Sequence, residues 1–225
     1  MKILIIVPAY NEEKTLPAVI KDLESHGYKN IVVIDDGSTD KSSRIAKQTK
    51  VPVLTHVLNR GLGAALGTGF EYAQKVNADI VVTFDSDGQH KAEDIKKLIA
   101  PLITGKADVV IGSRMLNYQK MPKDRLIFNF LANVATALTF GVWSTDSQSG
   151  LRVFNRKAVN SIHLKTDRME VSSEFFKEIK RNKLNFAEVP IDPVYDEYSR
   201  KKGQEGKGNW NSVNVGIKML LRVFR

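Results

Sequence analysis

Short apolar runs alternate with helix-length amphipathic segments from the N-terminus to about residue 115. That rhythm is the strongest constraint on the fold, because strands alternating with helices of ten or more residues build a parallel sheet with right-handed crossovers. The runs Lys2–Val7, Asn30–Ile34, Val51–His56, Ala78–Phe84 and Asp108–Ile111 read as strands. Glu12–Ser25, Thr39–Gln48, Gly63–Val76 and Ala92–Leu102 read as helices; in the first, Leu16, Val19, Ile20 and Leu23 share one face. Later segments continue the pattern less regularly: a strand at Val153–Phe154, a helix at Val171–Asn182 and a strand at Asn185–Pro190. At 225 residues and 42% hydrophobic, the chain has material for one sizeable core.

In open α/β sheets, ligands bind outside the carboxyl ends of the strands. Here those ends carry Tyr10-Asn11-Glu12, Asp35-Asp36 and Asp85-Ser86-Asp87, so three polar, acidic clusters are expected on one rim. Two carboxylates one residue apart repel unless a cation lies between them. Asp85 and Asp87 are therefore candidate ligands for a hard divalent ion, Mg²⁺ or Mn²⁺, with Gln89 adding a neutral oxygen. A turn capped by Asp and Ser is the plain structural alternative. Asp36 has the chemistry to accept hydrogen bonds from a ribose or base. Arg114, at the end of the Val109–Ile111 run, suits a phosphate. His90 adjoins the acidic cluster; His26, His56 and His163 lack metal-ligand spacing.

Other classes fit less well. There is no cysteine, which excludes disulfides and thiolate metal sites. The stretch Asn59-Arg60-Gly61-Leu62-Gly63 permits close backbone approach, but Leu66 breaks the dinucleotide glycine pattern and no Gly-Lys-Ser/Thr follows, which disfavours a dehydrogenase or P-loop NTPase. A net charge of +9 fits an anionic partner. A nucleotide- or nucleic-acid-binding module would explain that charge but not three acidic rims, so no nucleic-acid partner is expected. Ile3–Val7 is too short for a signal peptide. Leu126–Thr145 carries no charge, but Asn129, Asn133 and Thr136 fall on one helical face, so it reads as a buried or membrane-interface helix rather than a spanning one. Lys201–Asn211 reads as a loop. Ser212–Arg225 is amphipathic, and Glu205 is the one acid among many Lys and Arg from Arg200 onward.

In their order, Val7-Pro8-Ala9-Tyr10-Asn11-Glu12, Val33-Ile34-Asp35-Asp36-Gly37-Ser38, Asp85-Ser86-Asp87-Gly88-Gln89-His90 and Gly112-Ser113-Arg114 resemble the motifs of family 2 glycosyltransferases. Ser149-Gly150-Leu151-Arg152-Val153-Phe154 and Glu188-Val189-Pro190-Ile191 extend the resemblance to the branch that glycosylates polyprenyl (dolichyl or undecaprenyl) phosphate with mannose or glucose. It implies a GT-A fold, a Rossmann-like and mostly parallel sheet with helices on both faces, over residues 1–210, with 211–225 as an appended helix. It also implies a GDP- or UDP-sugar donor, a polyprenyl-phosphate acceptor, divalent metal and inversion at the anomeric carbon.

By position, Pro8, Tyr10, Glu12, Ile34 and Asp36 would hold the nucleoside. Asp85, Ser86, Asp87 and Gln89 would hold metal and diphosphate, with Arg114 on a phosphate. Arg152, Arg200, Lys202 and Lys207 would help position the acceptor, although Glu205-Gly206-Lys207 departs from the family's Ser-Lys. Asp146 is the candidate base should the acceptor be a hydroxyl of a soluble sugar or protein. A peripheral position at the cytoplasmic face of a membrane follows as an expectation, the basic tail lying on anionic lipid or packing on the domain.

Overall fold

The computed structural model describes residues 1–120, 123–192 and 194. A seven-stranded sheet with order β3-β2-β1-β4-β6-β5-β7 forms its centre. The strands are β1 (Ile3–Ala9), β2 (Ile31–Asp35), β3 (Val53–Thr55), β4 (Ile80–Thr83), β5 (Val109–Ser113), β6 (Arg152–Asn155) and β7 (Phe186–Pro190). All neighbours pair in parallel except β6, which runs antiparallel to both β4 and β5. The mostly parallel α/β sheet expected from the sequence is thus present.

Strand alternation sends successive side chains into two cores, which is why these strands are apolar throughout. On one face, Ile5, Val7, Val33, Val82 and Val153 pack with α1 (Leu16–Ser25) and α4 (Ala92–Ile103) through Leu16, Leu23, Ile95 and Leu98. On the other, Leu4, Ile6, Val32, Ile34, Val81 and Phe154 meet α3 (Leu62–Lys75) and α7 (Val171–Arg181) through Leu66, Phe70, Phe175 and Phe176. The short helices α2 (Ser42–Gln48) and α6 (Arg156–Ser161) complete the two layers.

Element boundaries moved where local chemistry decided them. α1 begins at Leu16 rather than Glu12, with Pro17 in its first turn. Most of the uncharged segment falls in α5 (Lys123–Phe140), a helix that also takes in Lys123, Asp124 and Arg125 and stops where Gly141 takes φ +64°. Among the described residues, no helix is long and apolar enough to cross a membrane.

One close packing fixes the start of α3. The segment 163–167 lies across the start of α3. Glu174 anchors it by accepting bonds from the Lys165 amide (3.0 Å), the Thr166 amide (3.0 Å) and the Thr166 hydroxyl (2.6 Å). A Cβ on Gly63 would lie 1.8 Å from the Thr166 carbonyl oxygen, a backbone atom that has no rotamer to yield. Gly63→Ala should therefore destabilise the fold by about 1–3 kcal/mol. A lower urea midpoint with an unchanged m-value would show it; an unchanged midpoint would refute the packing.

Candidate active site

Because β2, β1 and β4 are adjacent and parallel, their carboxyl ends lie on one rim of the sheet. The three acidic clusters meet there. The Ser86 hydroxyl donates to the Pro8 carbonyl at 2.7 Å, joining the β4 end to the β1 end. The Asp36 amide donates to the Ala9 carbonyl at 2.9 Å, joining β2 to β1. Tyr10 is exposed beside them, whereas Glu12 and Ile34 are buried.

Asn11 organises the β1–β2 side. It adopts φ +55°, and its side-chain oxygen accepts from the Thr39 and Asp40 amides at 2.9 and 3.3 Å. The turn after β2 is thereby fixed. Within it, Asp36 is fully engaged: its carboxylate accepts from the amides of Arg60 (3.1 Å) and Gly61 (2.6 Å) and lies 2.7 Å from His56 Nδ1. His56 Nε2 is 2.9 Å from the Thr68 hydroxyl. Asp35 Oδ2, in contrast, is buried without a hydrogen-bond partner among the described residues.

Asp85 and Asp87 follow β4 in a turn, since that strand ends at Thr83. Strand alternation does not reach them; the turn brings them within mutual electrostatic range. The two carboxylates are tuned in opposite directions. Burial pushes Asp85 up, but the His90 hydrogen bond (Nε2 to Oδ2, 3.3 Å) and the charges of His90, Arg114 and Arg152 outweigh it and hold the acid below its ordinary range. Asp87 is held above that range by burial first and by the charge of Asp85 second. Asp85 still keeps 32% of its side-chain surface open.

Gly150 makes room for Asp85. A Cβ there would sit 1.9 Å from Asp85 Oδ2, and the Thr83 hydroxyl clasps the Gly150 carbonyl at 2.7 Å. Gly150→Ala should displace the carboxylate and cost about 10²-fold in turnover, with the melting temperature changed little. Wild-type activity in that variant would show that Asp85's position is not critical.

The other wall is basic. Arg114 forms a two-pronged pair with Asp146: Nε to Oδ2 at 2.7 Å and Nη2 to Oδ1 at 2.8 Å, with the Arg114 amide adding a third bond at 3.0 Å. Asp146 is fully buried. Arg152, on β6, is buried 4.6 Å over the Phe175 ring, and burial brings its pKa down to about 10, so it stays cationic at neutral pH. Its Nη2 donates to the Ser147 carbonyl at 3.0 Å.

The loop carrying Asp146 is braced from three elements. Asn133 of α5 donates to the Thr145 carbonyl (2.6 Å) and accepts from the Ser147 amide (2.8 Å). Glu188 of β7 accepts from the Ser144 hydroxyl and the Thr145 amide. The Ser113 and Thr145 hydroxyls are 2.6 Å apart.

Of the residues singled out in the sequence, the structure gathers Pro8, Tyr10, Glu12, Ile34, Asp36, Asp85, Ser86, Asp87, Gln89, Arg114, Asp146 and Arg152 at this end of the sheet. Arg200, Lys202, Lys207 and the helix of 211–225 lie outside the described residues. Sequence reasoning met His56, Gly150, Asn133 and Glu188 without giving any of them a role at the site, because their partners Asp36, Asp85 and the Asp146 loop are distant in the chain. His90, adjacent to the acidic cluster, had a local signal.

The family model for glycosyl transferase family 2 matches residues 4–162. The chain belongs to that family. Within family 2 it is 39% identical to the UDP-N-acetylglucosamine–dolichyl-phosphate N-acetylglucosaminyltransferase of Methanococcus voltae, over 99% of this chain and 94% of the relative. It is 30% identical to the undecaprenyl-phosphate mannosyltransferase of Micrococcus luteus, over 96% of this chain and 93% of that one. Among solved structures, glucosyl-3-phosphoglycerate synthase of Mycobacterium tuberculosis, in complex with Mn²⁺, UDP and phosphoglyceric acid, superposes with a TM-score of 0.69 at 20% identity, over 99% of this chain and 78% of that one. The fold is that of a GT-A glycosyltransferase, and the protein is a family 2 enzyme.

Proposed function

We propose that this enzyme transfers a hexose or N-acetylhexosamine from a GDP- or UDP-sugar to the phosphate of a polyprenyl or dolichyl carrier, with inversion. The observation that carries this reading is one sheet edge where contrasting charges meet: Asp85 and Asp87 lie within electrostatic range of each other, and Asp85 within range of Arg152 and of the Arg114 that pairs with Asp146. The Methanococcus and Micrococcus relatives, both acting on lipid phosphates by name, support the acceptor.

A divalent metal fits the donor set. Among the described residues, no three His, Cys, Asp or Glu converge into a closed cage. Two carboxylates whose charges oppose each other are what Mg²⁺ or Mn²⁺ takes when it shares its remaining positions with a diphosphate. Asp85, Asp87 and Gln89 would hold it, and when bound it would offset charge on the leaving nucleoside diphosphate. The nucleoside lies along Pro8, Tyr10, Glu12, Ile34 and Asp36 in this reading. Ser86 keeps the β4 end fixed to β1.

Arg114 steers the acceptor phosphate, its guanidinium plane set by Asp146. A phosphate oxygen is anionic at neutral pH. It attacks the anomeric carbon in line, the bond to the diphosphate breaks, and no strong general base is required. Asp146 therefore serves as the partner of Arg114, and a base role for it belongs only to a hydroxyl acceptor. Arg200, Lys202 and Lys207 would add positive charge for the acceptor. The net charge of +9 and the basic tail suit a peripheral seat on anionic lipid at the cytoplasmic face.

The test supplies Mn²⁺, dolichyl or undecaprenyl phosphate and, separately, radiolabelled UDP-N-acetylglucosamine, UDP-glucose and GDP-mannose. Label should move into the organic phase with one donor and be released by mild acid. Label that stays in water, on a soluble sugar or protein, would overturn the lipid acceptor while leaving the family 2 chemistry standing.

A further inference from the structure

Glu188 stands on β7 where an apolar residue would suit the sheet better. Strand alternation turns Ala187 and Val189 to one core and Glu188 to the opposite face. Its register partner on β5 is Ile111, which is fully buried. Glutamate is a poor strand former, and a half-buried carboxylate is costly unless it is hydrogen-bonded. This one is well bonded. Its Oε1 accepts from the Ser144 hydroxyl at 2.8 Å and from the Thr145 amide at 2.9 Å. The Ser144 hydroxyl in turn accepts from the Asp146 amide at 3.2 Å. Two hydrogen bonds thus link Glu188 to the backbone of the residue that orients Arg114.

The chain that follows reaches the other half of the pair. The Ile191 amide donates to the Ser113 carbonyl at 3.1 Å, immediately before Arg114. The Ile191 side chain packs so closely on Gly112 that a Cβ there would lie 3.0 Å from it. Asp192 accepts from the side chain of Asn117, just after Arg114. The Val194 amide then donates to the Gln89 carbonyl at 3.0 Å, and the Gln89 amide donates to Asp87 at 2.9 Å. Glu188, Ile191, Asp192 and Val194 therefore hold the Asp146 loop, the chain on both sides of Arg114 and the turn that carries Asp85 and Asp87.

We propose that this stretch is a frame that keeps the Arg114–Asp146 pair at a fixed spacing from the Asp85–Asp87 turn, and that Glu188 is its positioning residue. It rests on the reading in which Arg114 meets the acceptor phosphate and the turn meets the donor diphosphate. In-line displacement needs that spacing, because the attacking oxygen and the anomeric carbon have to lie about 3–3.5 Å apart, and a misplacement of about 1 Å costs about 10²-fold. A frame shared by both groups sets the distance through bonds to the backbone, which has far less freedom than a long side chain. Glu188 acts through Ser144 and Thr145 on Asp146, and through Asp146 on Arg114.

The first arm of the test needs neither donor nor acceptor. In isotope-labelled, metal-free, full-length protein, the Arg114 Nε–H resonance, assigned by its loss in Arg114→Lys, reports the bond to Asp146. Glu188→Ala should speed its hydrogen exchange by about ten-fold or more, while the amides of β1 and β4 exchange as before. Glu188→Gln, whose side-chain carbonyl accepts the same two bonds, should stay within about two-fold of the wild type. Should Glu188→Ala fail to fold, Ser144→Ala removes only the link from Glu188 to the Asp146 amide and should also speed the exchange. Unchanged exchange in the alanine variants overturns the frame. So does a glutamine variant as loose as alanine, since the charge of Glu188 and not its geometry would then matter.

The second arm measures transfer to farnesyl phosphate with Mn²⁺ and whichever of UDP-N-acetylglucosamine, UDP-glucose and GDP-mannose is turned over. Glu188→Ala should raise the KM for farnesyl phosphate about ten-fold and leave the KM for the nucleotide sugar unchanged, with glutamine restoring the first. Equal rises in both, or none in either, overturn the positioning role. If the wild-type protein moves no sugar to any polyprenyl phosphate, the acceptor reading fails, and the exchange arm still decides whether Glu188 sets the pair.

Discussion

Asp87→Asn should reduce sugar transfer by about 10³-fold and yet raise the melting temperature of the metal-free protein at neutral pH. The two effects share one cause. Burial and the neighbouring charge of Asp85 hold the Asp87 carboxyl above its ordinary range. For an acid raised in the folded state, the stability it confers is fully present below its unfolded pKa and is lost as pH rises through the folded one. At neutral pH the ionised group is therefore a cost that asparagine removes. The same unrelieved charge is what makes the site attractive to a divalent cation, so the substitution that relaxes the fold removes the ligand.

Asp85→Asn should behave oppositely in stability. His90, Arg114 and Arg152 favour its charged form, so its contribution is present above the unfolded pKa and disappears as pH falls through the lowered folded one. Melting curves of the two variants from pH 3 to 8, without metal, separate them. If Asp87→Asn lowers the melting temperature at neutral pH, or retains metal-dependent transfer, the electrostatic account of the site is wrong.

Asp146→Ala should cost about 3–5 kcal/mol of stability and abolish transfer. Asp146 is fully buried and Arg114 only 12% exposed in its side chain, so the alanine removes three charge-assisted bonds and strands a guanidinium away from water. Replacing both partners by apolar residues of similar size, Arg114→Met with Asp146→Leu, should recover much of the lost stability without restoring activity. That contrast separates a pair needed for folding from a pair needed for phosphate. Urea unfolding and transfer assays on the single and double variants measure both. A double variant that regains activity would remove Arg114 from the mechanism.

Much of the site was legible because its signals are local. A strand ends where apolar residues give way to Asp, Ser and Gly, and three such endings fell on adjacent parallel strands. The motif order then named the family before any contact was known. Strand alternation cannot place Asp85 and Asp87, because the strand stops at Thr83 and a turn positions them. Asp36 has the acceptor chemistry that a ribose or base needs, and the structure adds what no local signal carries, the bonds of His56, Arg60 and Gly61 to its oxygens.

The sequence alone determined the layer architecture, the acidic rim and the polar stripe on α5, since apolar period and capping chemistry act over a few residues. Only the tertiary structure decided that β6 runs antiparallel between β4 and β5. That insertion carries Gly150 and Arg152 to Asp85, and the adjoining loop brings Asp146 to Arg114. These partners lie 67 residues apart for Thr83 and Gly150 and 32 apart for Arg114 and Asp146. No periodicity encodes such a meeting; burial of both sheet faces does, by forcing distant charged groups into one dry corner where they must satisfy each other.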